Sequence, residues 1–288
     1  MTTAIDASAQ AWLERRYGGD GPDEKIPEFP AEQAATEAVL GCLLQHRSVR
    51  RYLPEPVPRG TLELLVGAAQ SAASSSNLQL WSVVVVDDPE KRRALSEIAG
   101  KQAHIVECPL FLVWVADLHR STELATRRGI GSEGLHYLEM FLMASVDTAL
   151  AAQNAVVAAE ALGLGTVYIG ALRNAPERVA QILGLPSKAF AVFGLCVGWP
   201  DPAGAATVKP RLPQHVVVHR DRYEAEADKH APVDDYDRLM QRFYGEQRMA
   251  VPEGGWSIHS AKRVANIAAL RGRDVLKQAL GRLGFELR

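Results

Sequence analysis

The segment HRSVRRYLPEPVP, residues 46–58, places three arginines and one histidine in six residues and three prolines in the next seven. Guanidinium groups on a loop ahead of a helix suit an anion, because side-chain cations and free backbone N–H groups converge there. Arg47, Arg50 and Arg51 form this first basic group; Lys209 and Arg211, in VKPRLP, form a second one far along the chain. Each lies on a loop beside regular structure, where functional side chains concentrate. Two such groups can clamp one phosphate from two sides, with the Ser48 hydroxyl as a neutral donor. The same residues also read as two solvated basic turns.

One phosphate-bearing cofactor would explain both groups, and would also explain why no protein nucleophile stands out. The eight histidines are scattered without H-E-x-x-H spacing, and His215 and His219 flank HVVVHRD, whose pattern predicts a short strand on which such a pair does not converge. No G-x-S-x-G elbow is present, so Ser74, Ser75 and Ser76 read as a polar turn. In GLGTVYIG, residues 163–170, the third glycine comes too late and the glycines precede a strand, the reverse of the dinucleotide-binding order. They read as helix caps. Cys42, Cys108 and Cys196 are odd in number and far apart, which argues against a disulfide framework or a zinc site and for a reducing, cytoplasmic setting.

These groups must be positioned by a sizeable core. The chain has 288 residues, 47% of them hydrophobic, and a formal net charge of −2, so bulk attraction to nucleic acid is not expected. Charge is uneven locally: residues 1–40 hold eight acids against Arg15, Arg16 and Lys25, whereas residues 256–288 hold seven bases against Asp274 and Glu286. That tail carries no aromatic interleaved with its bases except Phe285, so a stacking platform for nucleic acid is missing. Residues 1–30, rich in Gly, Pro and acids, read as an acidic arm without a signal-peptide pattern; residues 31–288 read as a single domain with a helical C-terminal extension.

Apolar periodicity predicts helices at 32–45, after Pro58, at 89–99, at roughly 133–163, at 175–184, and at 232–247, 256–270 and 272–284. The long helix is apolar but interrupted by Glu139, Asp147, Gln153, Asn154 and Glu160, which a membrane span tolerates badly. LQLWSVVVVDD, CPLFLVWVAD, TVYIGAL and AFAVFGLCVGWP read as buried strands. Strands interleaved with helices imply an α/β or α+β sandwich around a four- or five-stranded sheet.

HRSVRRY, SSSNLQ, DTALAAQNAVVAAEALGLG, VYIGALRN, FGLCVGWP and VKPRLP occur in this order. Together they resemble the oxygen-insensitive NADPH nitroreductases and NADPH–flavin oxidoreductases of the nitroreductase superfamily, over about residues 40 to 250. The resemblance implies an α+β three-layer sandwich with a central mixed sheet, an intertwined homodimer and one FMN per site at the subunit interface. His46, Arg47, Ser48 and Arg50 would then bind the flavin, with Arg50 near the N1/O2 edge to stabilise the reduced ring and Lys209 and Arg211 closing on the phosphate. Ser74 and Ser76 would line the pocket from the facing subunit, Gln102 would touch the ring's rim, and Tyr168, Ile169, Gly170 and Ala171 would run along it near N5. Ala171 stands where relatives usually have a second glycine. Arg248, beside Gln247, is the candidate for the NADPH 2′-phosphate, with NADH as the other possible donor.

The expected activity is FMN-dependent NAD(P)H oxidation with two-electron, ping-pong reduction of a nitroaromatic, quinone or similar small acceptor. Chemistry would sit on FMN, with no catalytic protein group and no metal. The alternatives are a flavin reductase that supplies reduced FMN to a monooxygenase, and a flavin-binding protein without turnover.

Overall fold

The computed structural model describes residues 33–204, 206–225, 230–247 and 254–288; the acidic arm at 1–30 and Arg248 lie outside the described residues. The helices in chain order are α1 (Gln33–Leu44), α2 (Thr61–Gln70), α3 (Pro89–Ile98), α4 (His104–Glu107), α5 (His119–Arg128), α6 (Leu138–Ala161), α7 (Pro176–Leu183), α8 (Gln214–Val217), α9 (His230–Glu246), α10 (Gly255–Val264) and α11 (Leu276–Arg282). The strands are β1 (Trp81–Val85), β2 (Leu110–Asp117), β3 (Gly165–Ile169) and β4 (Ala189–Gly198). The described residues divide into two compact units: 48–204 with 270–288, and 33–47 with 206–225, 230–247 and 254–269.

The larger unit is built on a four-stranded sheet in the order β1-β2-β4-β3. All three strand pairings are antiparallel; the parallel component is the single bridge between Ser48 and Thr166. The central strand β2 is buried along its whole length, which explains a continuous apolar run where a half-exposed strand would alternate. Successive side chains still point to opposite faces. Phe111, Val113 and Val115 pack with Val167, Ile169 and Cys196 against Leu95 of α3 and Val179 of α7. Leu110, Leu112 and Trp114 pack on the other face with Leu65 of α2 and Ala151, Ala152, Ala155, Val156 and Ala159 of α6. Helices on both faces of one sheet give the three layers. A third cluster seats Leu280 and Phe285, at and just beyond α11, against Leu80, Leu118, Ala144 and Phe190.

Local chemistry sets the helix ends. The Asp88 carboxylate caps α3 by accepting from the Glu90 and Lys91 amides at 2.8 and 3.3 Å, with Pro89 at the first helical position. After α6 the chain turns at Gly163 with φ 80°, a left-handed conformation that favours glycine. Among the described residues α6 is the one helix long and apolar enough to cross a membrane. Its inner face packs on the sheet, and Asp147 at its centre is buried and hydrogen bonded, so it is a core helix of this fold.

The smaller unit gathers Tyr236, Met240 and Phe243 of α9 around Leu212, Leu239, Tyr244 and Trp256. Asp237 accepts from the Ser257 amide at 2.7 Å and ties α9 to the start of α10. Two sequence expectations are corrected. HVVVHRD is not a strand: Gln214–Val217 forms one helical turn, and Val217 and Val218 are exposed. Its β-branched residues have no strand to pair with among the described residues of that unit, and without a ladder β-propensity decides little. His119–Arg128, where the periodicity predicts no helix, forms α5; it buries no side chain, so no apolar stripe marks it in the sequence.

Candidate active site

The site begins where Ser48–Leu53 crosses the sheet. The Val49 amide donates to the Thr166 carbonyl at 2.8 Å, and the buried Val49 side chain fills the space above Gly165, where a Cβ would lie 2.6 Å from Val49 Cγ2. Only glycine admits that approach. With Val49 turned inward, alternation turns Ser48 and Arg50 the other way, and Arg50 is exposed. The Tyr52 hydroxyl donates to the Val49 and Cys196 carbonyls at 2.8 and 3.3 Å, and burial pushes its pKa well above the ordinary tyrosine range. Arg51 pairs with Asp201 at 3.0 Å, and the Leu53 amide donates to the Trp199 carbonyl at 2.9 Å. Arg50 is therefore presented from a backbone fastened on either side of it.

Two further segments of the same unit carry candidate site residues. Gln102 is half-buried and donates to the Ala99 carbonyl at 2.8 Å. Two residues on, His104 is buried and its Nε2 has no hydrogen-bond partner among the described residues. Burial, and next the charge of Arg50, hold the His104 pKa below its ordinary value, which leaves a neutral imidazole beside that arginine. The second segment follows Tyr168 and Ile169 on β3 into the turn Gly170–Asn174. Asn174 donates to the Ile98 carbonyl at 3.1 Å, tying the turn to the end of α3 just before Gln102. The Tyr168 ring packs edge-on against Phe193, and its hydroxyl reaches Gln153 of α6 at 3.4 Å. Ile169 is fully buried in the core, so what it can offer a ligand is backbone. The methyl of Ala171 packs against the core cluster beneath the turn.

Ser74 and Ser76 lie on a different support. Asp147, in the middle of α6, accepts from Ser74 Oγ at 2.7 Å, from the Ser75 amide at 3.1 Å and from the Leu80 amide at 3.3 Å. Ser74 Oγ in turn accepts from the Gln79 amide at 2.8 Å. Between these anchors Ser76, Asn77 and Gln79 adopt left-handed φ values of 49°, 55° and 51°. Such angles are strained for non-glycine residues and persist where the surroundings over-determine them. In the sequence Asp147 was legible only as an interruption of an apolar helix; nothing local marks it as the clamp of a loop near residue 76.

In the smaller unit, His46 is half-buried and Arg47 exposed. Lys209 Nζ stands over the rings of Phe243 and Tyr244 at 5.8 and 5.6 Å. Arg211 is exposed, and its Nη1 turns back to the Lys209 and Pro210 carbonyls at 3.2 and 3.3 Å. The Tyr236 hydroxyl holds that proline carbonyl at 2.9 Å. The two basic groups read from the sequence thus fall largely in different units.

Exposed guanidinium groups, a serine hydroxyl and a glutamine amide suit an anionic ligand. Comparison with known proteins makes this reading specific. The family model described as "Nitroreductase family" matches residues 43–199, and "Nitroreductase family, C-terminal domain" matches residues 209–288. The chain belongs to the nitroreductase family. It is 37% identical over 246 residues to the FMN reductase (NADPH) of Bacillus subtilis, covering 84% of this chain and 96% of that one. It is 37% identical over 222 residues to the oxygen-insensitive NADPH nitroreductase of Salmonella typhimurium, covering 75% and 87%. The structure of the NADPH:FMN oxidoreductase of Vibrio harveyi complexed with NAD+ superposes with a TM-score of 0.76 at 35% identity, over 87% of this chain and all of the other (100%).

Proposed function

We propose that the protein is an FMN-dependent NAD(P)H oxidoreductase that reduces nitroaromatics, quinones or similar electron-poor small molecules. The observation that carries this reading is the presentation of Arg50 on a fastened backbone, close enough to His104, two residues from Gln102, to act on it electrostatically, in a chain of this family. When bound, FMN would supply the two-electron chemistry between the nucleotide and the acceptor. The chain's own residues would bind and bias it. Ser48 and Arg50 would address the ring and its O2 edge, where a fixed cation favours added negative charge. Gln102 would touch the rim, and the backbone of Tyr168, Ile169, Gly170 and Ala171 would lie along the ring. The inward packing of the Ala171 methyl supports its standing where relatives have glycine. His46 and Arg47 remain proposed flavin contacts, Lys209 and Arg211 the proposed phosphate contacts, and Arg248 the proposed contact for the NADPH 2′-phosphate.

A homodimer is part of the proposal. Leu138, Leu142, Val146 and Leu150 recur every fourth residue on α6 and are exposed, at 54%, 56%, 48% and 44%. Such a contiguous apolar face suits a second copy of the chain. Ser74 and Ser76, clamped to the same helix by Asp147, would then serve the partner's flavin. Cys42, Cys108 and Cys196 form no disulfide among the described residues, in agreement with a reducing, cytoplasmic setting. A second reading, release of reduced FMN to a monooxygenase, is favoured by the name of the B. subtilis relative, an FMN reductase.

The test is an anaerobic titration of the purified protein with NADPH and, separately, NADH, following flavin absorbance. Bleaching of a bound yellow flavin is the expected result. A flavin that stays oxidised with both nucleotides removes the catalytic reading, and a protein that takes up no FMN removes the whole proposal. Turnover on free FMN compared with a nitroaromatic separates the two acceptor readings.

A further inference from the structure

Two arginines of the larger unit are drawn into the fold without a carboxylate partner among the described residues, and they are used differently. Arg92 is 8% exposed, and its fork is taken up by backbone: Nε donates to the Val86 carbonyl at 2.6 Å, Nη1 to that of Cys108 at 2.5 Å and Nη2 to that of Pro109 at 3.3 Å. Arg173 is half-buried and donates through Nη1 to the Val192 carbonyl. A guanidinium carries five N–H donors and remains charged. One carbonyl leaves most of that capacity unused in a place where burial already disfavours the cation.

Where the group sits gives it a purpose. A Cβ built on Gly170 would lie 3.1 Å from Arg173 Nη2 and 3.5 Å from Nη1, so the guanidinium occupies the volume a side chain at 170 would need. Gly170 and Ala171 are the backbone proposed to lie along the flavin. Reduction by NAD(P)H moves two electrons and one proton, leaves NAD(P)+, and so adds one negative charge to the acceptor of those electrons. A half-buried cation held against that backbone, with less water around it than a surface arginine has, acts on such a charge more strongly than a surface arginine would.

We infer that Arg173 is a second electrostatic residue of the redox site, whose positive charge behind Gly170 makes the bound flavin easier to reduce. The inference rests on the flavin reading above. It differs from the role given to Arg50, which is exposed and reaches the ligand directly; Arg173 acts through space from within the turn.

The experiment compares wild type, Arg173→Gln and Arg173→Lys, each loaded with FMN, by spectroelectrochemical titration of the flavin midpoint potential. Arg173→Gln keeps a donor for the Val192 carbonyl and removes the charge. At a fixed nucleotide couple its ratio of reduced to oxidised flavin should fall roughly ten-fold, while Arg173→Lys should stay within about two-fold of wild type. An unchanged potential in Arg173→Gln overturns the inference, and so does a fall in Arg173→Lys as large as in Arg173→Gln, which would make the role one of shape. Should Arg173→Gln not fold, Gly170→Ala serves instead, since its methyl presses on the guanidinium from the other side. A smaller fall of the same sign is expected there, and no shift overturns the inference. Wild type that binds no FMN fails at the earlier step and removes the flavin reading itself.

Discussion

The two faces of α6 are both apolar and meet different surroundings. The inner face is alanine-rich: Ala144, Ala151, Ala152, Ala155 and Ala159 are fully buried, and small side chains let the helix lie close against the sheet. The outer face carries the larger residues Leu138, Leu142, Val146 and Leu150, and these are exposed. If hydrophobicity alone decided burial, the leucines would be inside. What decides it is volume: an interior at crystal-like packing density has room for what fits, and the surplus apolar surface is left for another body. Asp147 stands between the faces, buried, and fixes a loop rather than the sheet.

The comparison can be broken in order of expected effect. Asp147→Ala strands two backbone amides and a hydroxyl, and should cost roughly 3 kcal/mol in urea unfolding. It should also weaken FMN binding if Ser74 and Ser76 serve the pocket. A loss of stability with unchanged FMN affinity would confine Asp147 to the fold. Ala155→Leu, on the inner face, should cost about 2 kcal/mol through overpacking, visible as a lower Tm. Val146→Glu, on the outer face, should change the stability of an isolated chain by less than about 0.5 kcal/mol and yet shift sedimentation from dimer to monomer. A dimer that survives Val146→Glu would show that the outer face serves something other than self-association.

The smallest effect lies away from both faces, at His104. Its pKa is held below the ordinary value in the folded protein, so on acidification the unfolded chain takes up the proton first. Stability should therefore decline as pH falls through about 6.5, and level off once the folded-state pKa is passed. Urea midpoints at about pH 7.5 and 5.5 should differ less in His104→Asn than in wild type. An equal difference would place the titration elsewhere.

Long apolar or β-branched runs were readable without coordinates because burial leaves them little alternative: WSVVV, LFLVWVA and AFAVFGLCV lie in strands β1, β2 and β4. Elements lacking that signature were not readable. α5 has no buried stripe, and HVVV has β-branched residues but no neighbouring strand among the described residues of its unit. The site divides in the same way. Residue type and clustering pointed to Arg47, Arg50, Lys209 and Arg211, since a local excess of charge is visible in one dimension. Asp147 and Arg173 were not picked out, because their partners, Ser74 and Val192, lie far from them along the chain or on another element.

The left-handed backbone at Ser76, Asn77 and Gln79 has a consequence for how this sequence can be altered. Glycine at any of the three positions would adopt the same angles without a Cβ conflict and would fold as readily or more so. It would also release the loop to wander when unclamped. A library selected for thermostability alone would therefore drift towards glycine here, whereas one selected for turnover should keep side chains at these positions. The residue types recovered at 76, 77 and 79 would record which pressure had acted.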